Sequence, residues 1–237
     1  MKPAFRFKQF SIDDSGCAMK IGTDAVLLGA MAAANAPARI LDVGTGCGIV
    51  ALMLAQRFPS AIIDTIEIDN FASEKAQQNF IASPWKDNLS VSNISLQKFL
   101  TSATSHYDLI VSNPPYFNRS LRNPDKAKTI ARHDDELPLE DLLHGASILL
   151  KRGAPLWIIL PRENVQKAIL TALSQKLFLN QQTDIMAVGG KNAKRSILAF
   201  TKEESRECIP KELHIKETNG NYSSDFTNLC KEYYLGF

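Results

Sequence analysis

The sequence predicts an α/β fold: an open, largely parallel sheet with helices on both faces. Two observations carry that expectation. From about residue 23 to residue 202, short apolar runs alternate with amphipathic stretches, which is how β-α units read. The apolar runs are rich in Ile, Leu and Val and lack polar alternation, the composition of strands covered on two sides.

In chain order, residues 1–22 read as a short extended arm that enters a helix over 23–34, with Thr23 as its N-cap. Residues 39–43, 61–68, 89–94, 107–112 and 156–160 read as strands. Between them, residues 49–57, 71–82, 139–151 and 163–175 carry apolar side chains at helical spacing. Residues 180–188 and 196–201 flank the turn Gly189-Gly190-Lys191-Asn192 and read as a closing antiparallel pair. After residue 202 the sequence offers one strand, 212–216, and one helix, 225–234. The expected organisation is a single domain over 1–237, with an arm (1–22), a core (23–202) and an extension (203–237). Residues 114–137 form the longest stretch without an element, and a loop that long in a compact domain is functional or mobile.

Composition narrows the class. A net charge of +2 neither demands nor excludes a nucleic-acid partner, because a local patch outweighs the total. Cys17, Cys47, Cys208 and Cys230 show no C-x-x-C spacing, which argues against a zinc site or a disulfide framework. The first ten residues alternate apolar and basic side chains and form no continuous apolar leader. The longest mostly apolar stretch, residues 25–36, is too short to cross a bilayer. These features predict a cytoplasmic monomer with no bound metal and no membrane partner.

The chemistry lies at two strand ends. Asp42-Val43-Gly44-Thr45-Gly46-Cys47-Gly48 closes one strand and opens a helix. Glycines there let the backbone bend sharply and approach a ligand, and the helix N-terminus presents free N–H groups. The pattern is G-x-G-x-G and not the dinucleotide G-x-G-x-x-G. Asp42 would repel a diphosphate and suits a ligand that carries an ammonium and a sulfonium. Glu67, nineteen positions after Gly48 at the tip of the next strand, is placed to accept from two ribose hydroxyls. Asp69 points the other way and is expected to cap the helix that follows.

The second strand end is Ser112-Asn113-Pro114-Pro115-Tyr116. An exocyclic amine on an adenine is a poor nucleophile, because its lone pair is delocalised into the ring. Two acceptors on its two N–H bonds, the Asn113 side-chain carbonyl and the Pro114 backbone carbonyl, would pull the nitrogen toward a tetrahedral shape. Pro114 and Pro115 fix φ and hold the second carbonyl in place. Tyr116 offers a face for base stacking, and Pro115 and Phe117 flank the same substrate position. A tight β-α turn and a strand ending in a proline turn are the purely structural readings of these motifs.

On these residues the sequence resembles class I methyltransferases of the N-P-P-Y type, and within them the bacterial tRNA1(Val) adenine-37 N6-methyltransferases. Beyond the glycine turn and Asn113-Pro114-Pro115-Tyr116-Phe117, the resemblance includes Phe7-Lys8-Gln9-Phe10, residues 17–24, Ala131-Arg132-His133 and residues 137–142. It implies a Rossmann-like, seven-stranded, mostly parallel sheet with its last strand antiparallel. It also implies S-adenosyl-L-methionine as cofactor and tRNA, tRNA-Val in particular, as partner. Asp42, Gly44, Gly46, Gly48 and Asn113 would line the cofactor, Glu67 would hold its ribose, and Thr23 would lie near its methionine carboxylate. Ser95 stands where the family often carries an acid that binds the cofactor's adenine.

Arg119, Arg122, Lys126, Lys128 and Arg132, opposed only by Asp125 over that stretch, give a local charge of +4 after N-P-P-Y (five bases, one acid). Lys2, Arg6, Lys8 and Lys20 add to it, and His133 is a further candidate contact. Such a patch reads either as an RNA-phosphate surface or as a solvated loop. The rival functions are N-methylation of a guanine N2 in rRNA or of a release-factor glutamine amide, a non-catalytic RNA-binding module, and a nicotinamide-dependent oxidoreductase.

Overall fold

The computed structural model describes residues 4–17, 20–104, 106–114, 137–188, 192–204 and 208–237. Two short strands, β1 (Phe5–Arg6) and β2 (Ser11–Ile12), pair antiparallel in the arm. The main sheet holds β3 (Arg39–Val43), β4 (Ile62–Glu67), β5 (Leu89–Asn93), β6 (Leu109–Ser112) and β7 (Leu156–Pro161). It continues with β8 (Phe178–Val188), β9 (Arg195–Thr201) and β10 (Lys211–Lys216). The spatial order is β10-β8-β9-β7-β6-β3-β4-β5. Every neighbour pair is parallel except the two made by β9.

The expectation of seven strands therefore falls short by one. The reversed strand, β9, is where it was expected, but β10 adds in parallel to β8, from Lys211 beside Thr183 to Lys216 beside Val188. At eleven residues β8 outruns β9, which has seven, and its outer edge accepts another strand. Nothing in a six-residue strand as polar as Lys211–Lys216 specifies which edge it joins.

The helices among the described residues are α1 (Thr23–Met31), α2 (Ile49–Arg57), α3 (Asn70–Ile81), α4 (Leu96–Ser102), α5 (Leu139–Leu149), α6 (Val165–Ser174) and α7 (Ser224–Cys230). Gly22, not Thr23, is the N-cap of α1. Asp69 caps α3 as expected, its carboxylate accepting from Ala72 N at 2.7 Å. Seven residues give α4 under two turns, too short for a 3.6-residue period to stand out, so the sequence gives it no signal.

Alternate residues along the central strands feed two cores. Ile40, Ile63, Leu109, Val111 and Ile159 pack with Leu28, Leu52 and Phe80 of α1, α2 and α3. Leu41, Val43, Ile110, Ile158 and Leu160 pack with Leu142, Leu143 and Ala168 of α5 and α6. Each such Leu or Ile stabilises the fold by roughly 1.5–3 kcal/mol when fully buried. Two-sided cover holds in the middle of the sheet and fails at its edge, where only Leu89 of β5 is buried.

The arm is pinned at both ends. Phe7 stacks on Phe10 and Tyr234, and the Lys8 ammonium donates to the carbonyls of Lys231 and Phe237. At its other end, Asp13 N donates to Asn79 Oδ1 at 3.0 Å, while Asn79 Nδ2 donates to Cys47 O at 2.8 Å. One buried amide thus joins the arm to the glycine turn.

Candidate functional site

Between β3 and α2 the chain needs three left-handed residues in five. Gly44, Gly46 and Gly48 have φ of +73°, +58° and +90°, values that strain any residue with a Cβ. A Cβ on Gly48 would lie 2.4 Å from Phe80, so that glycine lets α3 close on the turn. Among the described residues, a Cβ on Gly46 would meet no atom within 4 Å. That side of the turn opens to whatever the site binds.

Hydrogen bonds fix the turn against β4. The N–H groups of Gly44 and Thr45 both donate to Ile66 O, at 2.9 and 3.2 Å. Gly46 N donates to Glu67 Oε2 at 2.8 Å, and Asp69 N donates to Glu67 Oε1 at 2.9 Å. Asn93 reinforces the strand tip by donating to the carbonyls of Glu67 and Ile68, at 2.8 and 3.0 Å. Glu67 is thereby rigid before any ligand arrives.

Asp42 is 1% exposed and accepts from Thr45 Oγ1 at 2.6 Å. Among the described residues it has no cationic partner. Burial pushes its pKa up to about 7, and the Glu67 carboxylate adds to the effect. A buried acid held near neutrality, with hydroxyl donation and no counter-charge, is poised to accept hydrogen bonds from a ligand or to face a positive one.

Strand register assembles the rest. Glu67 stands beside Asn93, and Val43 stands beside both Ile66 and Ser112. Gly44, Glu67 and Asn113 each follow one residue later, at three neighbouring strand ends. Parallel strands lie about 4.8 Å apart, so the half-buried Asn113 starts within roughly 5 Å of the glycine turn. Ser112 Oγ donates to Val43 O at 2.7 Å and locks the two strand ends together. Pro114 is buried, and Leu137 returns the chain beside Gly44. Pro114 and Leu137 thus both lie at this site.

Pro115, Tyr116, Phe117, Arg119, Arg122, Lys126, Lys128, Arg132 and His133 lie outside the described residues, as does Lys2. Ser95 caps α4, its hydroxyl accepting from Lys98 N at 3.3 Å. Thr23 is exposed on the first turn of α1. Its neighbour Asp24 pairs with Arg195 at 2.9 Å. Of the other cations ascribed to the basic patch, Lys8 is engaged by the C-terminal carbonyls and Lys20 donates to Asp14 O at 2.5 Å.

Three residues escaped the sequence reading. Thr45 lies inside the recognised motif, so a hydroxyl three positions after a buried acid was the available signal. Asn79 was readable as an amide amid Ala72, Ala76 and Phe80 on the buried face of α3. Asn93 carried no signal, because only pairing with β4 gives it a task.

The arrangement fits a positively charged adenosine derivative: an open face at Gly46, an unpaired buried acid, and a fixed Glu67 carboxylate at the adjacent strand tip. Among the described residues, no group of three His, Cys, Asp or Glu is placed to hold a metal ion, and no helix is long and apolar enough to cross a membrane.

Known proteins agree with this architecture. The family model described as methyltransferase small domain matches residues 15–187. A protein of Bacteroides thetaiotaomicron named tRNA1(Val) (adenine(37)-N6)-methyltransferase is 42% identical, covering 98% of each chain. A protein of that name from Pedobacter heparinus is 41% identical over the whole of both chains. Among solved structures, a protein described as a predicted O-methyltransferase, from Agrobacterium tumefaciens, superposes with a TM-score of 0.69. The match covers 89% of this chain and 96% of that one at 19% identity, a likeness of fold alone.

Proposed function

Since the chain belongs to the methyltransferase small domain family, we propose that it methylates the exocyclic N6 of an adenine in tRNA, with S-adenosyl-L-methionine as donor. The specific target we assign is adenine 37 of tRNA1(Val), the substrate named for the relatives that match it from end to end. The observation that supports the reading is the register that sets Val43 between Ile66 and Ser112, the residues immediately before Glu67 and Asn113. Acceptors for an amine and a cradle for a nucleoside thereby share one strand edge.

The cofactor would rest on the glycine turn, with Glu67 toward its ribose and Asp42 toward its charged end. When bound, it would supply an electrophilic methyl on a sulfonium whose sulfur would leave as a neutral thioether, and the methylated nitrogen would release one N–H proton to solvent. The protein's own task is to present the acceptor nitrogen. Asn113 Oδ1 and the Pro114 carbonyl each accept one N–H of the amine, which withdraws its lone pair from the ring and directs it at the donor. Rigid placement of these two oxygens is worth more than their strength, because any rotation returns the lone pair to conjugation. Pro114 supplies rigidity through its fixed φ, and Ser112 through its bond to Val43.

Mass spectrometry of nucleosides from tRNA incubated with the protein and S-adenosyl-L-methionine tests the reading. N6-methyladenosine should form in unmodified tRNA1(Val) and be absent from a transcript with guanosine at position 37. Methyl incorporation into rRNA guanine or into a protein fraction, with none in tRNA, would overturn it.

A further inference from the structure

Two strands away from β3, beyond the carboxyl end of β7, an open cleft of about 660 Å³ lies between Arg162, Glu163, Gln166, Lys194 and Arg195. None of these residues belongs to the glycine turn or to the Asn113 strand end. The cleft is built on fixed backbone: Pro161 pairs with Arg195 across β7 and β9, and Arg162 N donates to Lys194 O at 3.1 Å. Arg162 is also oriented, since its Nε donates to Asp184 Oδ2 at 3.1 Å. That bond uses one edge nitrogen and directs the guanidinium. Asp24 holds Arg195 Nε in the same manner at 2.9 Å. Lys194 is exposed and forms no ion pair among the described residues.

The lining side chains carry three positive charges and one negative; Asp184 and Asp24 offset Arg162 and Arg195, which leaves Lys194 as the lining cation with no ion pair among the described residues. At the cleft wall α6 continues from a 3-10 turn over Arg162–Asn164, in which Val165 N donates to Arg162 O and so fixes the backbone that carries Arg162. Among the described residues no aromatic ring lines the cleft, which suits an anion and not a base. Its position suits the reaction. Ser112 pairs with Ile158, so Pro161 lies one strand over and two residues beyond Asn113, a Cα separation of roughly 8 Å.

The geometry points to a phosphate-binding cleft for the RNA strand, in which Arg162 and Lys194 hold a backbone phosphodiester next to the nucleotide presented at Asn113. Gln166 adds a neutral side-chain amide to the lining. This inference rests on the tRNA reading above and extends it, adding a contact that fixes the strand while Asn113 and Pro114 grip the base. Arg162 suits a phosphate through paired parallel N–H donors, and Lys194 acts as a point charge.

Filter binding of unmodified tRNA1(Val) transcript across a salt series tests it, with S-adenosyl-L-methionine affinity measured in parallel. Lys194→Glu, an exposed change, should weaken tRNA binding about tenfold at low salt and reduce the log–log salt slope by roughly 0.7–0.9. Arg162→Gln should act in the same direction and additively, and cofactor affinity should stay within twofold for both. Unchanged affinity and slope in both variants, with wild-type protein binding tRNA normally, would overturn the cleft and leave the methylation reading intact. A loss of cofactor affinity instead would assign the cleft to the cofactor's carboxylate. If wild-type protein fails to bind tRNA, the cleft and the substrate reading fall together.

Discussion

The two ends of the main sheet handle charge in opposite ways. Toward the end where strands β3 and β6 begin, Asp64 and Asp108 are both matched. Asp64 accepts from Arg39 at 2.6 Å and from the Tyr107 hydroxyl at 2.9 Å. Asp108 pairs with Lys151 at 2.7 Å and accepts from the backbone N–H groups of Ala38 and Arg39. Burial alone would raise the Asp108 pKa, but Lys151 and those N–H groups outweigh it and hold the carboxyl below its usual value. At the opposite end Asp42 is buried deeper, has no cation among the described residues, and is raised to about 7. Three glycines there sit at positive φ. Asp64 and Asp108 are matched by the protein itself, whereas among the described residues Asp42 is left for a ligand, and that contrast separates scaffold from site.

The largest effect should come from the site end. Asn113→Ala should slow methyl transfer by about 10²–10³ while S-adenosyl-L-methionine affinity is retained, since one acceptor aimed at the reacting amine is lost. Single-turnover rates against cofactor titrations check this, and a wild-type rate in the variant would erase the distinction between the two ends.

Next in size is Gly48→Ala, which places a Cβ 2.4 Å from Phe80 at a φ of +90°. It should cost about 2–4 kcal/mol of stability, read by denaturant unfolding. Gly46→Ala sharpens the contrast, because its Cβ meets no atom of the described residues within 4 Å and its damage should fall mainly on cofactor affinity.

Asp42 gives a pH signature of the opposite sign to Asp108. Its folded pKa, about 7, exceeds the unfolded value, so the folded chain holds an extra proton between about pH 4 and 7 and loses stability as pH rises through that window. Asp108 has a depressed folded pKa, so its contribution is present at neutral pH and is lost on acidification below the ordinary carboxylate range. Asp42→Asn should therefore raise the ligand-free unfolding midpoint at pH 8 and flatten its decline from pH 5 to 8, yet weaken cofactor binding. A cofactor affinity independent of pH in the wild type, measured by calorimetry, would contradict the proposed role of Asp42.

The smallest effect belongs to the matched end. Lys151 is 46% exposed, and Lys151→Ala should cost about 0.2–1 kcal/mol and leave the transfer rate unchanged.

How far the sequence reached differs between the two ends of the sheet and along its width. The boundaries of β3 and α2 were legible to the residue, because an unbroken apolar run meets a glycine turn and then a helical period. Polar edges were not. Strand β10 and the short α4 have too little periodicity to announce where they dock. The cap of α1 was misplaced by one residue, since an exposed Thr beside a Gly does not reveal which of them leaves helical φ and ψ.

The sequence by itself determined the alternation of strands and helices, the glycine turn with its two acids, and Asn113 at a strand end. These depend on local rules: glycine where φ is positive, β-branched and leucine side chains where both faces are covered, proline where a carbonyl must stay fixed. Only the tertiary structure decided that Asn113, Gly44 and Glu67 occupy neighbouring strand ends, that Asp42 loses its water without gaining a cation among the described residues, and that Arg162 and Lys194, thirty-two positions apart, line one cleft. Those are matters of register and burial, fixed by which strands pair, and a linear pattern does not encode pairing.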